Sequence, residues 1–282
     1  MQELTYLIHD YDCDALGHLY TGNYIRLAED AARQFWHRLL LPEAGLEDAA
    51  IGVGPDSMLL ELDRPLHAGD RVGIKNMMVD MEDGAARVLH TFRTGEGEPV
   101  ASCQTRWTLN CGGMQGRERM QALLTQGLID AERPTWPEAP APSGPPEGMV
   151  ERIARVGWRD VSPRRRAFMG AYMDYMVDSA IFAGEQYGWD FDDSMKAGFA
   201  FVARRQWVDV FTPVGLGEAL RVQTWLYGLR RTTAYRHYMI RREESGKVVA
   251  RGTTYWAAVD VTTGRPTRIP AAFKRDLAAH IA

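Results

Sequence analysis

The chain has 282 residues, a length that suggests one large or two medium domains. Hydrophobic residues make up 45% and charged residues 25%, which allows a sizeable buried core. A formal net charge of −4 gives no electrostatic reason to expect nucleic acid or an anionic membrane as a partner.

In chain order, Leu4 to His9 is a short β-rich run and predicts the first strand. An acidic loop follows, from Asp10 to Thr21, carrying Asp10, Asp12, Asp14, Gly17 and His18. From Tyr24 the apolar positions Tyr24, Leu27, Ala28, Ala31 and Phe35 recur three and four apart, one face of a helix. That helix is predicted from about Gly22 to Leu41, stopped by Pro42. Arg26, Glu29, Asp30 and Arg33 fall on its other face, so Glu29 reads as a solvated acid. Gly45 to Pro55 reads as irregular. Ser57 to Asp63 is a predicted strand, and Pro65 to Asp70 a turn. Arg71 to Met81, Ala85 to Thr94 and Val100 to Asn110 follow as strands joined by Glu82-Asp83-Gly84 and by Gly95 to Pro99, both suited to hairpins. A small helix is predicted over Arg117 to Leu128.

Six prolines between Pro134 and Pro146 mark a linker, taken as residues 131–148 between an N-terminal unit 1–130 and a C-terminal unit 149–282. The second half repeats the order of the first. Val150 to Trp158 is a strand, Arg159 to Arg166 a loop, and Met169 to Tyr187 a helix with Tyr172, Met176, Ala180 and Ala183 on one face. Strands are predicted over Phe199 to Phe211, Leu220 to Leu229, Thr232 to Arg242 and Val248 to Val261, with an amphipathic helix over Pro270 to Ile281.

The halves align at a constant offset. Asp12 and Asp160, Tyr24 and Tyr172, Pro65 and Pro213, and Gly69 and Gly217 are each 148 residues apart, while Trp107 and Trp256 are 149 apart. One offset kept across loop, helix and turn indicates a tandem repeat of an α+β unit.

Asp12-Cys13-Asp14-Ala15-Leu16-Gly17-His18, followed by Asn23-Tyr24, resembles the loop and helix entry of hotdog-fold thioesterases of the 4-hydroxybenzoyl-CoA thioesterase type. The resemblance is confined to about 25 residues; elsewhere strand order and length carry it. It implies two tandem hotdog units, each a long helix wrapped by an antiparallel sheet, in a pseudo-dimeric double hotdog. The implied activity is that of an acyl-CoA thioesterase, hydrolysing a coenzyme A thioester to a free acid and a thiol. Coenzyme A or an acyl carrier protein would carry the substrate, and no separate cofactor is expected.

The repeat sorts the candidate residues. Asp12 and Tyr24 recur as Asp160 and Tyr172, which suits braces of loop and helix. Asp14, Gly17, His18 and Asn23 become Ser162, Arg165, Arg166 and Ala171. A residue present in one copy only is the better candidate for chemistry. The resemblance makes Asp14 the nucleophile or general base, with His18 beside it, and Tyr24 part of the substrate-binding set. Backbone N–H groups of Thr21 and Gly22, at the positive end of the helix, are placed to hold an oxyanion. Asn23 reads as a helix cap or a substrate contact. Arg165 and Arg166 are candidates for coenzyme A or phosphopantetheine phosphates. Cys13, Cys103 and Cys111 are odd in number and show no metal-ligand spacing, which predicts a reduced setting and no metal. Without a basic-then-apolar leader or a long apolar run, a cytoplasmic, membrane-free protein is expected.

Two other readings remain at this point. A hotdog hydratase or dehydratase acting on enoyl-CoA also pairs an Asp with a nearby His. A non-catalytic acyl-binding module would keep the loop as a remnant. A homodimer is compatible with all three.

Overall fold

The computed structural model describes residues 3–44, 55–82, 85–108 and 134–282. The expected irregular stretch after Gly45, the tip of the first hairpin at Asp83-Gly84, the helix over Arg117 to Leu128, Cys111 and the first three linker residues lie outside the described residues. The chain divides into two compact units, Met1–Pro137 and Glu138–Ala282.

In unit 1 the elements are β1 (Glu3–Leu7), α1 (Thr21–Ala44), β2 (Ser57–Leu62), β3 (Arg71–Glu82), β4 (Ala85–Thr94) and β5 (Pro99–Thr108). Its antiparallel sheet has the order β1-β3-β4-β5-β2. α1 packs on β3 and β4. Ala28, Ala31 and Ala32 are fully buried, and their small side chains let the helix approach the sheet. Trp36 meets Trp107 of β5 edge-on, 6.4 Å between ring centroids.

The buried stripe of α1 differs from the expected one. Leu27 and Phe35 are only half-buried, whereas Ile25, Ala32 and Trp36 are fully buried. The stripe is thus turned by about one residue, and this carries Glu29 inward. Glu29 is 3% exposed and paired with Arg33 at 3.0 Å, so the expectation of a solvated acid is corrected. The helix also runs two residues past Pro42, which costs it one backbone hydrogen bond without ending it.

Unit 2 repeats the plan with β6 (Val150–Arg155), α2 (Met169–Gln186), α3 (Phe191–Lys196), β7 (Phe199–Val210), β8 (Ala219–Tyr227), β9 (Thr233–Arg242), β10 (Val248–Asp260) and α4 (Ala271–Asp276). Its sheet order, β6-β8-β9-β10-β7, is that of unit 1 strand for strand. Each unit is a hotdog fold, a long helix laid on a five-stranded antiparallel sheet. The change of offset from 148 to 149 arises in one hairpin. Four residues separate β4 from β5, and five separate β9 from β10.

α3 is a short helix that periodicity did not announce; Asp190 caps it, accepting from the Asp193 N–H at 2.8 Å. The expected closing helix is shorter, α4 being followed by a separate 3₁₀ turn, Ala278–His280. The proline-rich segment is held at defined points: the Thr135 carbonyl accepts from Gln104, and the Pro140 carbonyl accepts from the Tyr227 hydroxyl at 2.7 Å. No described helix is long and apolar enough to cross a membrane.

Candidate active site

The acidic loop is built by backbone bonds that the two units share. In unit 1, Asp14 N–H donates to the His18 carbonyl (2.8 Å), Gly17 N–H to Asp14 (2.9 Å) and Tyr20 N–H to Asp12 (2.9 Å). In unit 2, Ser162 donates to Arg166 (2.9 Å), Arg165 to Ser162 (2.8 Å) and Phe168 to Asp160 (2.9 Å). Isolated bridges Cys13–Leu19 and Val161–Ala167 close the two loops in the same way. The outer carboxylates brace both: Asp12 accepts from His9 N–H at 2.9 Å, and Asp160 from Gly157 N–H at 2.7 Å. The left-handed residue is Gly17 in one loop (φ 74°) and Arg165 in the other (φ 59°).

Arg165 therefore carries strain that glycine avoids, roughly 1–2 kcal/mol of it, offset in part by the greater freedom of an unfolded glycine. Arg165→Gly is expected to leave unit 2 as stable as before or more stable by up to about 1 kcal/mol, measured by urea denaturation. A clear destabilisation would show that the Arg165 side chain holds the loop.

On this common backbone the side chains diverge. Asp14 is exposed, and its Oδ1 accepts from the Leu16 and His18 N–H groups at 2.9 and 3.1 Å. Those bonds orient the carboxylate and leave Oδ2 without a hydrogen bond among the described residues. Ser162, at the same place in unit 2, is buried and its hydroxyl has no partner among the described residues. The loop thus forms without any side-chain bond at this position.

His18 is half-buried and packs edge-on against His67, 5.3 Å between centroids. His67 in turn donates from Nδ1 to the Gly17 carbonyl at 2.9 Å. Burial lowers the pKa of His18 and His67 acts in the same sense, while Asp14 opposes both. His18 is accordingly a neutral imidazole at pH 7, within electrostatic reach of Asp14.

The first N–H of α1 to find a backbone acceptor is that of Asn23, which donates to Tyr20 at 2.8 Å. The N–H groups of Thr21 and Gly22 have no acceptor among the described residues, so two donors stand at the positive end of a long helix. Asn23 is the third residue of the helix and not its cap. Its amide donates to the Asp12 carbonyl at 2.9 Å and accepts from Arg26 at 3.2 Å, which ties the loop to the helix.

Tyr24 is buried, stacked edge-on against Phe92, with its hydroxyl against the Leu66 backbone. Tyr172 repeats this, accepting from Val214 N–H at 3.0 Å. Both are struts between helix and turn. Cys13 is half-buried; its burial and the surrounding carboxylates raise its pKa, opposed by a backbone hydrogen bond, and it stays a thiol at neutral pH. Arg164, Arg165 and Arg166 are all exposed, and the equivalent loop of unit 1 carries no arginine.

Comparison with known proteins agrees with this division into two units. Residues 8–139 match the Thioesterase-like superfamily. Residues 155–277 match the acyl-ACP thioesterase N-terminal domain, here on the C-terminal unit. No curated protein matches the chain in sequence.

Among solved structures, the chain is similar to a 12:0-ACP thioesterase from Umbellularia californica, with 13% identity, a TM-score of 0.68, and 91% of this chain and 94% of that one covered. An acyl-ACP thioesterase from Bacteroides thetaiotaomicron is similar at 12% identity and a TM-score of 0.66, with 90% and 97% covered. A protein assigned as an oleoyl thioesterase from Lactobacillus plantarum is similar at 15% identity and a TM-score of 0.69, with 90% and 95% covered. These likenesses extend over both units and establish the tandem hotdog fold. The acyl-ACP thioesterase match over residues 155–277 supports that type more than the 4-hydroxybenzoyl-CoA type that the motif suggested. With a thioesterase match on each unit, the chain is a thioester hydrolase.

Proposed function

We propose that the chain hydrolyses an acyl-ACP thioester and that the chemistry resides in the Asp14 loop of unit 1. The carrying observation is that both units build the same loop backbone, while at the position of Asp14 unit 1 places a carboxylate and unit 2 the serine Ser162. A side chain that the loop does not need for its shape is free to serve a reaction. The C-terminal unit's match to an acyl-ACP thioesterase domain supports a carrier-protein substrate over coenzyme A.

In this reading the thioester carbonyl oxygen rests against the N–H groups of Thr21 and Gly22. The Asp14 carboxylate either attacks the carbonyl carbon or takes a proton from the water that does so. In the first case the C–S bond breaks to give a mixed anhydride, which water then opens to the acid. In the second, water's oxygen joins the carbonyl carbon and the thiol departs carrying its proton. A thiol of pKa about 8.5 leaves readily, so little general-acid help is required. In this reading neutral His18 orients the thioester. A single turnover in ¹⁸O-water, with Asp14 examined by mass spectrometry, tests for the anhydride route, because label in the carboxyl arises only when water opens an anhydride at the Asp14 carbon.

Arg164, Arg165 and Arg166 supply a basic loop for the phosphate and acidic surface of a carrier protein. The double change Arg165→Glu, Arg166→Glu is expected to raise KM for acyl-ACP about tenfold, the effect of roughly 1.4 kcal/mol, with kcat little changed. Thiol release from a panel of acyl-ACP and acyl-CoA substrates tests the whole reading. Equal or better turnover of acyl-CoA would reject the carrier-protein assignment, and no turnover of either would reject the site.

A further inference from the structure

The strand registers of the two units correspond, so a core residue that breaks the repeat is informative. In unit 1 the row Met78, Val88, Thr105, Met58 crosses β3, β4, β5 and β2. In unit 2 the row Leu226, Arg236, Thr254, Gln206 crosses β8, β9, β10 and β7. Two buried apolar positions, Val88 and Met58, have become an arginine and a glutamine. Both newcomers are buried, Arg236 at 6% exposure and Gln206 at 1%.

The row faces α2. Gly252, two residues from Thr254 on the same strand, lies so close to the helix that a Cβ there would strike Met176. Tyr187, at the end of α2, sits beside Arg236; burial raises its phenol pKa and the guanidinium draws it back. Among the described residues neither amide atom of Gln206 has a hydrogen-bond partner, nor has Nη1 of Arg236. No carboxylate pairs with Arg236 among the described residues. A buried guanidinium without a counter-charge is costly, and unit 1 shows that the fold stands with valine and methionine instead. Leu226 and Ala234 beside this group continue into an apolar cluster with Phe199 and Phe273.

We propose that the interior of unit 2 binds a carboxylate carried on an apolar stem. Arg236 receives the two oxygens in its fork, Gln206 donates from Nε2, and the stem lies along Leu226, Ala234 and Phe199. Such a ligand has two sources: a free fatty acid, the product class of thioester hydrolysis, or the far end of an acyl group bearing an ω-carboxyl. Neither source requires Asp14 to be the catalytic group.

The test uses the full chain. Isothermal titration with octanoate, dodecanoate and hexadecanoate is set against 1-dodecanol. At least one carboxylate should bind, the alcohol at least tenfold more weakly, and Arg236→Met should weaken the carboxylate tenfold or more. Gln206→Leu should weaken it by a smaller factor, and Asp14→Asn should bind as the unaltered protein does. Hydrolysis of dodecanedioyl-ACP against dodecanoyl-ACP tests the second source; a preference for the diacid that Arg236→Met removes supports it. If no carboxylate binds and no diacid preference exists, or if both survive Arg236→Met unchanged, the proposal is overturned. Should Arg236→Met fail to fold, thermal unfolding of the unaltered protein decides, with a larger rise in Tm for dodecanoate than for dodecanol expected and equal shifts overturning the idea. Because Asp14→Asn is included in the titration, loss of the hydrolytic reading would leave this one standing, and the reverse.

Discussion

Asp14→Asn should lower acyl-thioester turnover by about 10²–10⁴-fold, the usual worth of a general base, with the fold unchanged. The amide oxygen keeps an acceptor for the Leu16 and His18 N–H groups, so the turn that orients it survives. What is lost is the negative charge, and with it both nucleophile and base. Asp14→Ser is the sharper variant, because unit 2 already forms this loop around Ser162 with no side-chain bond. Its circular dichroism and unfolding midpoint should lie within about 1 kcal/mol of the parent, and its rate should match that of Asp14→Asn. Rates within a few-fold of the parent, in correctly folded variants, would make Asp14 a turn former and return the search to other carboxylates. Glu29 is then the one to test, since it is buried on α1 beside Arg33.

His90→Leu should cost about 2–4 kcal/mol of stability and flatten the acid limb of the stability profile. His90 is fully buried between β3 and β5 in a chain of matched bonds. Trp107 Nε1–H donates to Thr105 Oγ1 at 2.8 Å, Thr105 to His90 Nε2 at 2.7 Å, and His90 Nδ1–H to Asn76 Oδ1 at 2.8 Å. Asn76 then donates to the Ala31 carbonyl of α1 at 2.7 Å. The amide and indole directions assign the neutral, Nδ1-protonated tautomer. Removing the imidazole orphans Asn76 Oδ1 and the Thr105 hydroxyl proton together, each in a site closed to water.

Burial holds the pKa of His90 down at about 3, and that of His237 at about 4, where Arg251 adds to the effect. Folded-state values below the unfolded 6.5 mean that the unfolded chain binds the extra proton. The stability at stake is therefore fully present above about pH 6.5 and is lost as pH falls toward 4 and then 3. Urea unfolding at steps between pH 7 and pH 4 should show a decline that His90→Leu reduces. An identical slope in parent and variant would show that other groups govern the acid limb.

The strands and the repeat were legible because they rest on local pattern. Alternation, turn residues and one offset of 148 located all ten of the described strands, most within two residues, and both long helices. Where periodicity had to decide orientation it was off by about one residue. The stripe containing Leu27 and Phe35 is satisfied nearly as well by Ile25, Ala32 and Trp36, and only packing against Trp107 and the sheet chooses between them. That small rotation moved Glu29 from solvent to core. Of the two roles read for Asn23, cap or substrate contact, the cap fails for a related reason, since a cap is defined by where the helix starts, and it starts at Thr21.

Arg236 and Gln206 could not have been found by scanning for motifs. They lie 30 residues apart on strands that are not neighbours, joined in one row through Thr254. An aligned comparison of the repeat, strand by strand, would have exposed the exchange of Val88 for Arg236.

The amino-acid order alone determined that this is a duplicated α+β chain whose first copy keeps a carboxylate that its second has lost, because spacing, turn chemistry and repetition are properties of neighbouring residues. Only the tertiary structure decided that the loop backbone is the same with or without that carboxylate, and which charged groups are enclosed, because hydrogen-bond closure and burial depend on strands brought together from distant parts of the chain.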